Sequence, residues 1–426
     1  MKIRVVDYVA NLGGGARFSK ELLLAMHEIP EVSSGRVRFE VVSHGLALER
    51  YREMLSREVP VNFVEIPPRR SWREKMSAAG VRGVGRLNRL LGRPLGVRVP
   101  REALRDCDVA WFPWLNWHSV STSRAPWIVA SLHDVILLEF PDQRQPYKVD
   151  FVRNSLKAWL ASETQIAVSS QATVSSLARL LGTPTGRVSV IPLSGQHGAP
   201  PASSAPHPWG FAGREYLLFP ANLSPHKNHE TLLAGVGTLV ERHPLVLTGN
   251  GTDLGSNGSP RGRRVRQRAE QAGMVLDRTI FGAGYVDDAE YFQILDGAWA
   301  LVMPTLAEGG GSFPVWEAME RGIPAVVSDI PVLREMVERL GGEVLWFDPR
   351  SAESLGRVLA ALEGDYRRYR ARAQEQTKTM KPRTWGDVAA DYLRLMTRAE
   401  NPVLRGGVAL DDPIRLVRGS SAVSGP

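Results

Sequence analysis

Two glutamates flank three consecutive glycines in the stretch TLAEGGGSFPVWEAMERG, residues 305–322. An apolar run precedes Glu308, and Pro314 suits a first helical turn, so the glycines lie where a strand passes into a helix. Glycine lets a ligand approach the main chain, and the free amides of that turn can bind phosphate. Glu308, and Glu317 in the first turn, can accept hydrogen bonds from hydroxyls. The stretch predicts a site for a nucleotide-linked sugar; the alternative is a tight turn with Glu317 favouring the helix dipole.

Residues that suit a phosphate or a flat ring follow three other apolar runs. Lys227, just before a predicted helix in ANLSPHKNHETLL, can place a point charge on a phosphate, although such a lysine is usually only solvated. Gly249 begins a Gly-x-Gly sequence that either admits a ligand to the backbone or forms a turn. In GAGYVDDAEYF, Asp287 or Asp288 can cap a helix, while the main chain at Val286 remains free to meet a flat ring.

The first half of the chain repeats the order of strand, glycines and helix. In NLGGGARFSKELLLAM, Gly14 and Gly15 precede Arg17, but neither the Gly-x-Gly-x-x-Gly spacing nor the acid of a dinucleotide fingerprint is present. In ASLHDVILLEFP, His133 follows a strand pattern. A histidine there can exchange hydrogen bonds with a substrate hydroxyl and titrates near neutral pH. The alternative is a structural histidine on a loop.

Short β-branched and aromatic runs must position these residues. Their near-continuous apolar character, and the helix-length segments between most of them, are typical of parallel strands covered on both faces. Residues 195–213, GQHGAPPASSAPHPWGFAG, interrupt the series without periodicity, as an interdomain connection does. We therefore predict two doubly wound domains with ligands in the cleft between them, beyond the carboxyl ends of the strands. The predicted strands are 3–9, 37–43, 61–66, 109–114, 127–132, 166–169, 188–193, 216–220, 245–248, 279–281, 300–303, 325–327 and 344–347.

Length and composition agree with two globular domains. The chain has 426 residues, of which 43% are hydrophobic and 23% charged. The single cysteine, Cys107, cannot form an internal disulfide, and the sequence has neither a signal-peptide pattern nor a run of about 18 apolar residues. We therefore expect a cytoplasmic protein.

The formal charge of +8 is concentrated in residues 68–105, which hold eleven Arg or Lys against two Glu. With Trp72 and several leucines interleaved, this basic segment can make a peripheral contact with an anionic membrane. A solvated basic face that packs its leucines internally is the alternative. No nucleic-acid recognition motif accompanies the charge, so nucleic acid is not predicted as a partner.

Taken in order, the motifs resemble the glycosyltransferase family 4 enzymes of the GT-B fold, which transfer a sugar from a nucleotide donor with retention of anomeric configuration. The resemblance covers nearly all of residues 3–395 and implies a final helix, around Trp385, that crosses back to the first domain. The matching motifs are GGGARF, LHDVILLEFP, VSSQATVSSLARLLGTPTGRVSVIPLS, ANLSPHKNHETLL, FGAGYVDDAEYF, EGGGSFPVWEAMERGIPAVVSDIPVLREM and LWFDP.

By this resemblance, Glu308 contacts the donor sugar, Glu317 holds the ribose and Lys227 stabilises the departing diphosphate. His133 is implied to lie beside the transferred sugar. No metal and no cofactor are implied, because Lys227 and the helix terminus can offset the leaving-group charge as it develops. The implied mechanism is front-face attack, in which the leaving phosphate helps to take the acceptor proton.

The resemblance also assigns ligand contacts to main-chain groups. Gly14 and Gly15 would approach the phosphates or the acceptor, Val286 would meet the base, and the amides of residues 310–312 would contact sugar and phosphate. The further positions that we include in the predicted donor site are Asn222, Gly249, Gly310, Gly311 and Ser312.

Two departures from the family pattern concern these positions. Eight residues, 309–316, separate Glu308 from Glu317 where the family usually has seven, so the loop either bulges or displaces Glu308. Asn222 stands where the family often has an arginine shortly before its lysine. His226 or Arg17 is a candidate to compensate.

We predict a retaining glycosyltransferase that transfers a sugar to a glycan or lipid-linked acceptor in surface polysaccharide assembly, with mannose from a GDP donor named first. One rival hypothesis is a catalytically weak nucleotide-sugar-binding protein; another is an NAD-dependent oxidoreductase, disfavoured by the absent fingerprint. The predicted organisation is an acceptor-side domain over 1–195, a linker over 196–213, a donor domain over 214–382, a helix over 383–400 and a mobile tail over 401–426.

Overall fold

The chain divides into two compact units in a computed structural model. The first unit comprises Met1–Ser194 with Thr384–Pro426, and the second comprises Gly195–Arg383. The predicted linker, most of the basic segment and the predicted tail lie outside the described residues. The described residues are 1–9, 14–55, 59, 61–68, 97–116, 118–119, 126–141, 146–182, 187–195, 216–255 and 258–397.

The described part of the first unit contains a seven-stranded parallel sheet and a separate pair of short strands. Residues with β-branched or aromatic side chains, such as Val5, Val41 and Trp111, are fully buried in the sheet. The strands are β1 Lys2–Val6, β2 Arg38–Ser43, β3 Asn62–Glu65, β4 Val97–Arg98, β5 Val109–Phe112, β6 His118–Ser119, β7 Trp127–Leu132, β8 Gln165–Val168 and β9 Arg187–Val190. The sheet order is β3-β2-β1-β5-β7-β8-β9, and β4 pairs with β6. The helices are α1 Gly14–Glu28, α2 Pro30–Ser33, α3 Leu46–Leu55, α4 Ile136–Glu139, α5 Pro146–Ala161 and α6 Gln171–Leu181, with a 3-10 turn at Arg101–Leu104.

The described part of the second unit contains a six-stranded sheet, also parallel throughout. Its strands are β10 Tyr216–Pro220, β11 Leu245–Thr248, β12 Ile280–Gly284, β13 Ala298–Met303, β14 Ala325–Ser328 and β15 Leu345–Phe347. They lie in the order β12-β11-β10-β13-β14-β15. The helices are α7 His229–Val236, α8 Pro260–Gln271, α9 Asp288–Asp296, α10 Phe313–Glu320, α11 Pro331–Leu340, α12 Ala352–Gly364 and α13 Tyr366–Gln376, with 3-10 turns at Pro225–Lys227 and Gly237–Glu241.

The last described helix, α14 Trp385–Thr397, belongs to the first unit. The Tyr392 hydroxyl lies 2.9 Å from Oγ of Ser131 on β7, and Nε1 of Trp127 donates to the Leu395 carbonyl at 3.3 Å. The buried Tyr392 and the half-buried Trp127 therefore hold this helix against the first sheet, although the second unit precedes it in the chain.

Both units confirm the predicted fold class of doubly wound parallel sheets. In each sheet the first strand of the unit lies inside, and the order reverses beside it, as in the Rossmann arrangement. Every predicted strand is present, with ends shifted by a few residues. The β4–β6 pair was not predicted because two residues carry no periodic pattern. Within the described residues, no helix is both long enough and apolar enough to cross a bilayer.

Candidate functional site

Four adjacent parallel strands of the second unit deliver predicted site residues to one edge of the sheet. Lys227 follows β10, Gly249 follows β11, Val286 follows β12 and Glu308 follows β13. The strand order reverses between β10 and β13, which is where ligands of doubly wound sheets bind. Lys227 and Glu308 therefore come from the two strands that border this switch point.

Lys227 and Glu308 form an ion pair. The Lys227 ammonium donates to Oε1 of Glu308 at 2.6 Å, and the two side chains are only 17% and 10% exposed. Their loops are joined by the main chain, because the Leu306 amide donates to the His226 carbonyl at 2.7 Å. Charges so far removed from water need close partners. The structure thus brings together a cation suited to phosphate and a carboxylate suited to hydroxyls.

Glu317 lies in the second turn of α10, not in the first as the sequence predicted. The helix begins at Phe313, with the extended residue Ser312 as its N-cap and Pro314 in the first turn. Glu317 is 2% exposed, and its Oε2 accepts a hydrogen bond of 2.6 Å from the hydroxyl of Tyr291 on α9. Because the dipole effect falls off within the first turn, it does not account for a buried carboxylate here.

The glycine run packs against Met336 of α11. Gly311 has φ +118°, and a Cβ there would lie 2.6 Å from the Met336 sulfur, so the position requires glycine. The Ser312 amide donates to the same sulfur at 3.3 Å. The prediction that the amides of this turn are free is therefore wrong at Ser312, since its N–H already has a partner. Gly310 is half-buried in the same loop.

Gly249 and Asn222 stabilise the ends of neighbouring strands. Gly249 has φ +120°, and a Cβ there would lie 2.8 Å from the carbonyl carbon of Ala221. The exposed Asn222 accepts the Ser224 amide on its Oδ1 at 2.9 Å, which closes the loop after β10. Gly249 is thus required by the close approach of β11 to the backbone after β10.

Replacing Gly249 by alanine is expected to lower the free energy of unfolding of the second unit by about 2–4 kcal/mol, because the added methyl meets rigid backbone in a left-handed conformation. Gly251, at φ +87°, has its nearest neighbour 3.5 Å from a built Cβ. Gly251→Ala therefore tests the backbone conformation alone, and it should lower the free energy of unfolding by only about 1–2 kcal/mol. Urea denaturation of both variants measures the difference; equal losses would contradict the steric explanation.

The loop after β12 contains a helix cap and a half-buried valine. Oδ1 of Asp287 accepts the Glu290 amide at 2.9 Å, so Asp287 rather than Asp288 caps α9. Val286 is half-buried, and the neighbouring Tyr285 is 78% exposed. The predicted cap is confirmed, whereas the main-chain contact of Val286 with a base stays a prediction.

His133 lies at the end of β7 in the first unit and is enclosed. Its Nε2 donates to the Pro113 carbonyl at 2.9 Å, the Ser169 hydroxyl donates to Nδ1 at 3.4 Å, and its ring packs edge-on to Phe18 with centroids 4.3 Å apart. Burial lowers the pKa of His133 from 6.5 to about 4. The prediction that this histidine titrates near neutral pH is therefore wrong: the imidazole is neutral there.

The buried imidazole should make the protein acid-sensitive. Below pH 6.5 the histidine is protonated in the unfolded chain, whereas His133 in the folded chain stays neutral down to about pH 4. The free energy of unfolding therefore decreases as the pH is lowered through this window. When the pH is lowered from 7 to 5, we expect the free energy of unfolding of His133→Gln to decrease by roughly 2 kcal/mol less than that of the wild type. Denaturant titrations at both pH values test this. The comparison with the wild type cancels the contributions of other groups. Parallel pH profiles of the two proteins would refute the role of His133 in acid sensitivity.

The remaining predicted residues of the first unit lie on α1. Gly14 is exposed and Gly15 buried at the start of the helix, directly after residues outside the described part of the chain. Arg17 is half-buried on the same helix. His226 lies in the Pro225–Lys227 turn of the second unit. The predicted ligand contacts of Gly14 and Gly15 stay predictions. The same holds for the suggestion that Arg17 or His226 compensates for the arginine that Asn222 replaces.

Sequence reasoning missed several polar residues that the fold buries. Asp7, at the end of β1, is 2% exposed; it accepts the Tyr51 hydroxyl at 2.9 Å, and burial raises its pKa to about 7. In the second unit, Tyr291 and Asn228 bond residues far away in sequence. An aspartate directly after an apolar run was a signal available for Asp7, whereas the other two had none. Within the described residues, no cluster of three or more His, Cys, Asp or Glu is placed to hold a metal ion.

Solved structures identify this architecture as the GT-B fold. Sucrose-phosphate synthase from Thermosynechococcus elongatus matches with a TM-score of 0.65 at 15% identity, covering 93% of this chain and 98% of that one. Anabaena HepE in complex with UDP-glucose matches with a TM-score of 0.64 at 13% identity, covering 93% of this chain and all of that one. Both similarities extend over the two units and support the fold alone.

Sequence comparison finds one family model and relatives at 26–27% identity. Residues 207–380 match the family model of the glycosyl transferases group 1. The O-antigen chain mannosyltransferase B of Escherichia coli is 27% identical over 355 residues, which is 79% of this chain and 88% of that protein. The serotype-specific mannosyltransferase WbdA of the same species is 26% identical over 288 residues, 64% of this chain but 33% of WbdA. The second unit therefore matches the glycosyl transferases group 1 over residues 207–380, and the chain has the GT-B fold.

Proposed function

We propose that the chain is a retaining glycosyltransferase that takes a sugar from a nucleoside diphosphate and transfers it to a hydroxyl of a glycan or lipid-linked acceptor. The observation that carries this proposal is the Lys227–Glu308 pair at the switch point of the second sheet. A cation and a carboxylate in contact, both largely removed from water, can serve a substrate that carries a diphosphate beside sugar hydroxyls.

In the proposed reaction, the Lys227 ammonium stabilises the negative charge that develops on the departing diphosphate. Oε1 of Glu308 is engaged by Lys227, and its Oε2 has no hydrogen-bond partner within the described residues. Oε2 is therefore the atom that we propose to accept a sugar hydroxyl. Glu317, fixed by Tyr291, would hold the ribose. The acceptor attacks on the face from which the diphosphate leaves, and a leaving-group oxygen takes its proton.

GDP-mannose is the donor that we propose first, because the names of both E. coli relatives describe mannosyltransferases. HepE, whose solved complex holds UDP-glucose, makes this sugar nucleotide the natural competitor in any test. The name of the first relative also supports a polysaccharide acceptor and a role in surface polysaccharide assembly. We further propose a cytoplasmic location with peripheral membrane contact through residues 68–105, most of which lie outside the described part of the chain.

The first experiment is a thermal-shift screen of the full chain against GDP, UDP, ADP and NAD, followed by turnover of GDP-mannose and UDP-glucose. A ligand at 100 times its dissociation constant stabilises the folded state by about 2.7 kcal/mol, which is readily detected. We expect one nucleoside diphosphate to stabilise the chain, and the product to keep the anomeric configuration of the donor by NMR. Tight binding without transfer or hydrolysis would favour the weak-binding alternative, and stabilisation by none of the four would refute the donor site.

A further inference from the structure

Asn228 has an unusual backbone conformation directly beside Lys227. Its φ of 61° and ψ of 44° place it in the left-handed region, which asparagine tolerates better than most residues. Within the described residues, the other non-glycine residues with positive φ are Asp106 and Asp277. The backbone N–H of Asn228 donates to the Pro225 carbonyl at 3.0 Å and so closes the Pro225–Lys227 turn. Asn228 therefore fixes how the chain leaves Lys227 and enters α7.

The side chain of Asn228, in the loop after β10, bonds the main chain just beyond β13 and β15. Its Nδ2 donates to the Pro304 carbonyl at 2.9 Å and to the Pro349 carbonyl at 2.7 Å. Pro304 directly follows β13, and Pro349 lies just beyond β15. Because both partners are carbonyl oxygens, which only accept, they require the amide nitrogen to face them and use both of its hydrogens.

The residue on the other side of Lys227 is attached to the same loop. The His226 carbonyl accepts the Leu306 amide at 2.7 Å. It also lies 3.2 Å from the Thr305 hydroxyl, which has a shorter contact of 2.8 Å with the Ala307 carbonyl. Lys227 is thus flanked on both sides by residues bonded to positions 304–306, and this segment leads directly to Glu308. The 2.6 Å contact between Lys227 and Glu308 is made across two loops that these bonds already hold together.

We propose that Asn228 is a positioning residue for the Lys227–Glu308 pair. The proposal rests on the proposed function, in which this pair meets the diphosphate and sugar of the donor. Asparagine combines two properties that the position needs: tolerance of the left-handed conformation and two N–H donors for two carbonyls. Glycine supplies the first alone, and aspartate would direct carboxylate oxygens at carbonyl oxygens.

The test is a double-mutant cycle between Asn228→Gly and Lys227→Ala. Glycine keeps the backbone conformation, so the variant should fold, and we expect its kcat with the active donor to fall about tenfold, with a smaller change in the donor KM. If Asn228 acts through Lys227, adding Asn228→Gly to Lys227→Ala should cause little further loss. A residue that only stabilises the fold would lower activity by the same factor in both backgrounds.

Two further variants sharpen the cycle. Asp277→Gly is the matched control, because this exposed residue has φ 59° in the same unit and makes no such side-chain bond to the described part of the chain; its activity should equal that of the wild type. Thr305→Val removes, at nearly constant volume, the hydroxyl that lies 2.8 Å from the Ala307 carbonyl and 3.2 Å from the His226 carbonyl, and it should show the same coupling to Lys227. It keeps the test decisive if Asn228→Gly does not fold.

The outcomes separate this proposal from the one on which it rests. Non-additive losses for Asn228→Gly, or for Thr305→Val, would support positioning. Suppose that the wild type binds and turns over a nucleotide sugar. Additive losses, or an Asn228→Gly variant whose kcat equals that of the wild type, would then overturn the role of Asn228 and leave the proposed function standing. A wild-type chain that neither shifts with any nucleoside diphosphate nor turns over a donor would overturn both.

Discussion

Lys227→Ala is expected to lower kcat for sugar transfer by about 10²- to 10³-fold, the usual effect of removing one electrostatic contact to developing charge. The side chain is 17% exposed and lies 2.6 Å from Glu308, so its charge acts in a site with little water. Donor affinity should fall as well, because the substitution leaves the Glu308 carboxylate uncompensated beside the incoming diphosphate. Steady-state kinetics with the donor found in the thermal-shift screen measure both effects.

Two controls separate the chemistry of Lys227 from the loss of a positive charge in general. Lys378→Ala removes an exposed lysine of the same unit that pairs with Glu375, and it should leave kcat unchanged. In Lys227→Ala/Glu308→Gln the repelling carboxylate is also gone, so donor affinity should partly recover while kcat stays low. Turnover at the wild-type rate by Lys227→Ala would remove Lys227 from the site.

The sheets could be predicted because their information is local. Runs such as Tyr216–Pro220 and Leu245–Thr248 are mostly apolar and are observed with the predicted bounds. Their parallel arrangement follows from the crossover segments between them. Once the strands are known, the switch point follows, and with it the neighbourhood of Lys227 and Glu308. The identity of the edge that holds the candidate site was therefore available from the sequence.

Burial and pairing were not available, because they depend on residues distant in the chain. His133 was assigned an ordinary pKa since nothing beside it in sequence shows that Phe18 and Pro113 enclose it. The Ser312 amide was assigned to a ligand, whereas the sulfur of Met336, 24 positions later, already accepts from it. A local motif specifies which groups can act, and the tertiary neighbours decide which of them are engaged.

The residues missed altogether follow the same rule. Asn228 resembles an ordinary helix-preceding asparagine in the sequence, yet its partners lie 76 and 121 positions away. The Tyr291 hydroxyl bonds a carboxylate 26 positions later in the chain. Such residues have no local pattern, since their function in the fold exists only when the strand ends meet.

Glu317→Gln is expected to weaken binding of the nucleoside diphosphate by about 10- to 100-fold, because a hydrogen bond to a charged group contributes roughly 1.5–3 kcal/mol. The variant keeps the volume of the side chain but removes its charge at a position that is 2% exposed. It also weakens the 2.6 Å bond from Tyr291, which orients the carboxylate. Titration calorimetry with the wild type and the variant measures the loss.

The ribose assignment is tested by changing the ligand together with the protein. If Glu317 accepts the ribose hydroxyls, Glu317→Gln should bind the 2′,3′-dideoxy nucleotide about as well as the wild type does, since the bonds at issue are absent from both complexes. Tyr291→Phe should reduce affinity for the ordinary nucleotide less than Glu317→Gln does, because it removes the orienting bond and keeps the charge. Glu338→Gln, at an exposed position of α11, should change nothing. An equal loss for both nucleotides would mean that Glu317 acts by stabilising α10 against Tyr291, and its place at the ribose would be withdrawn.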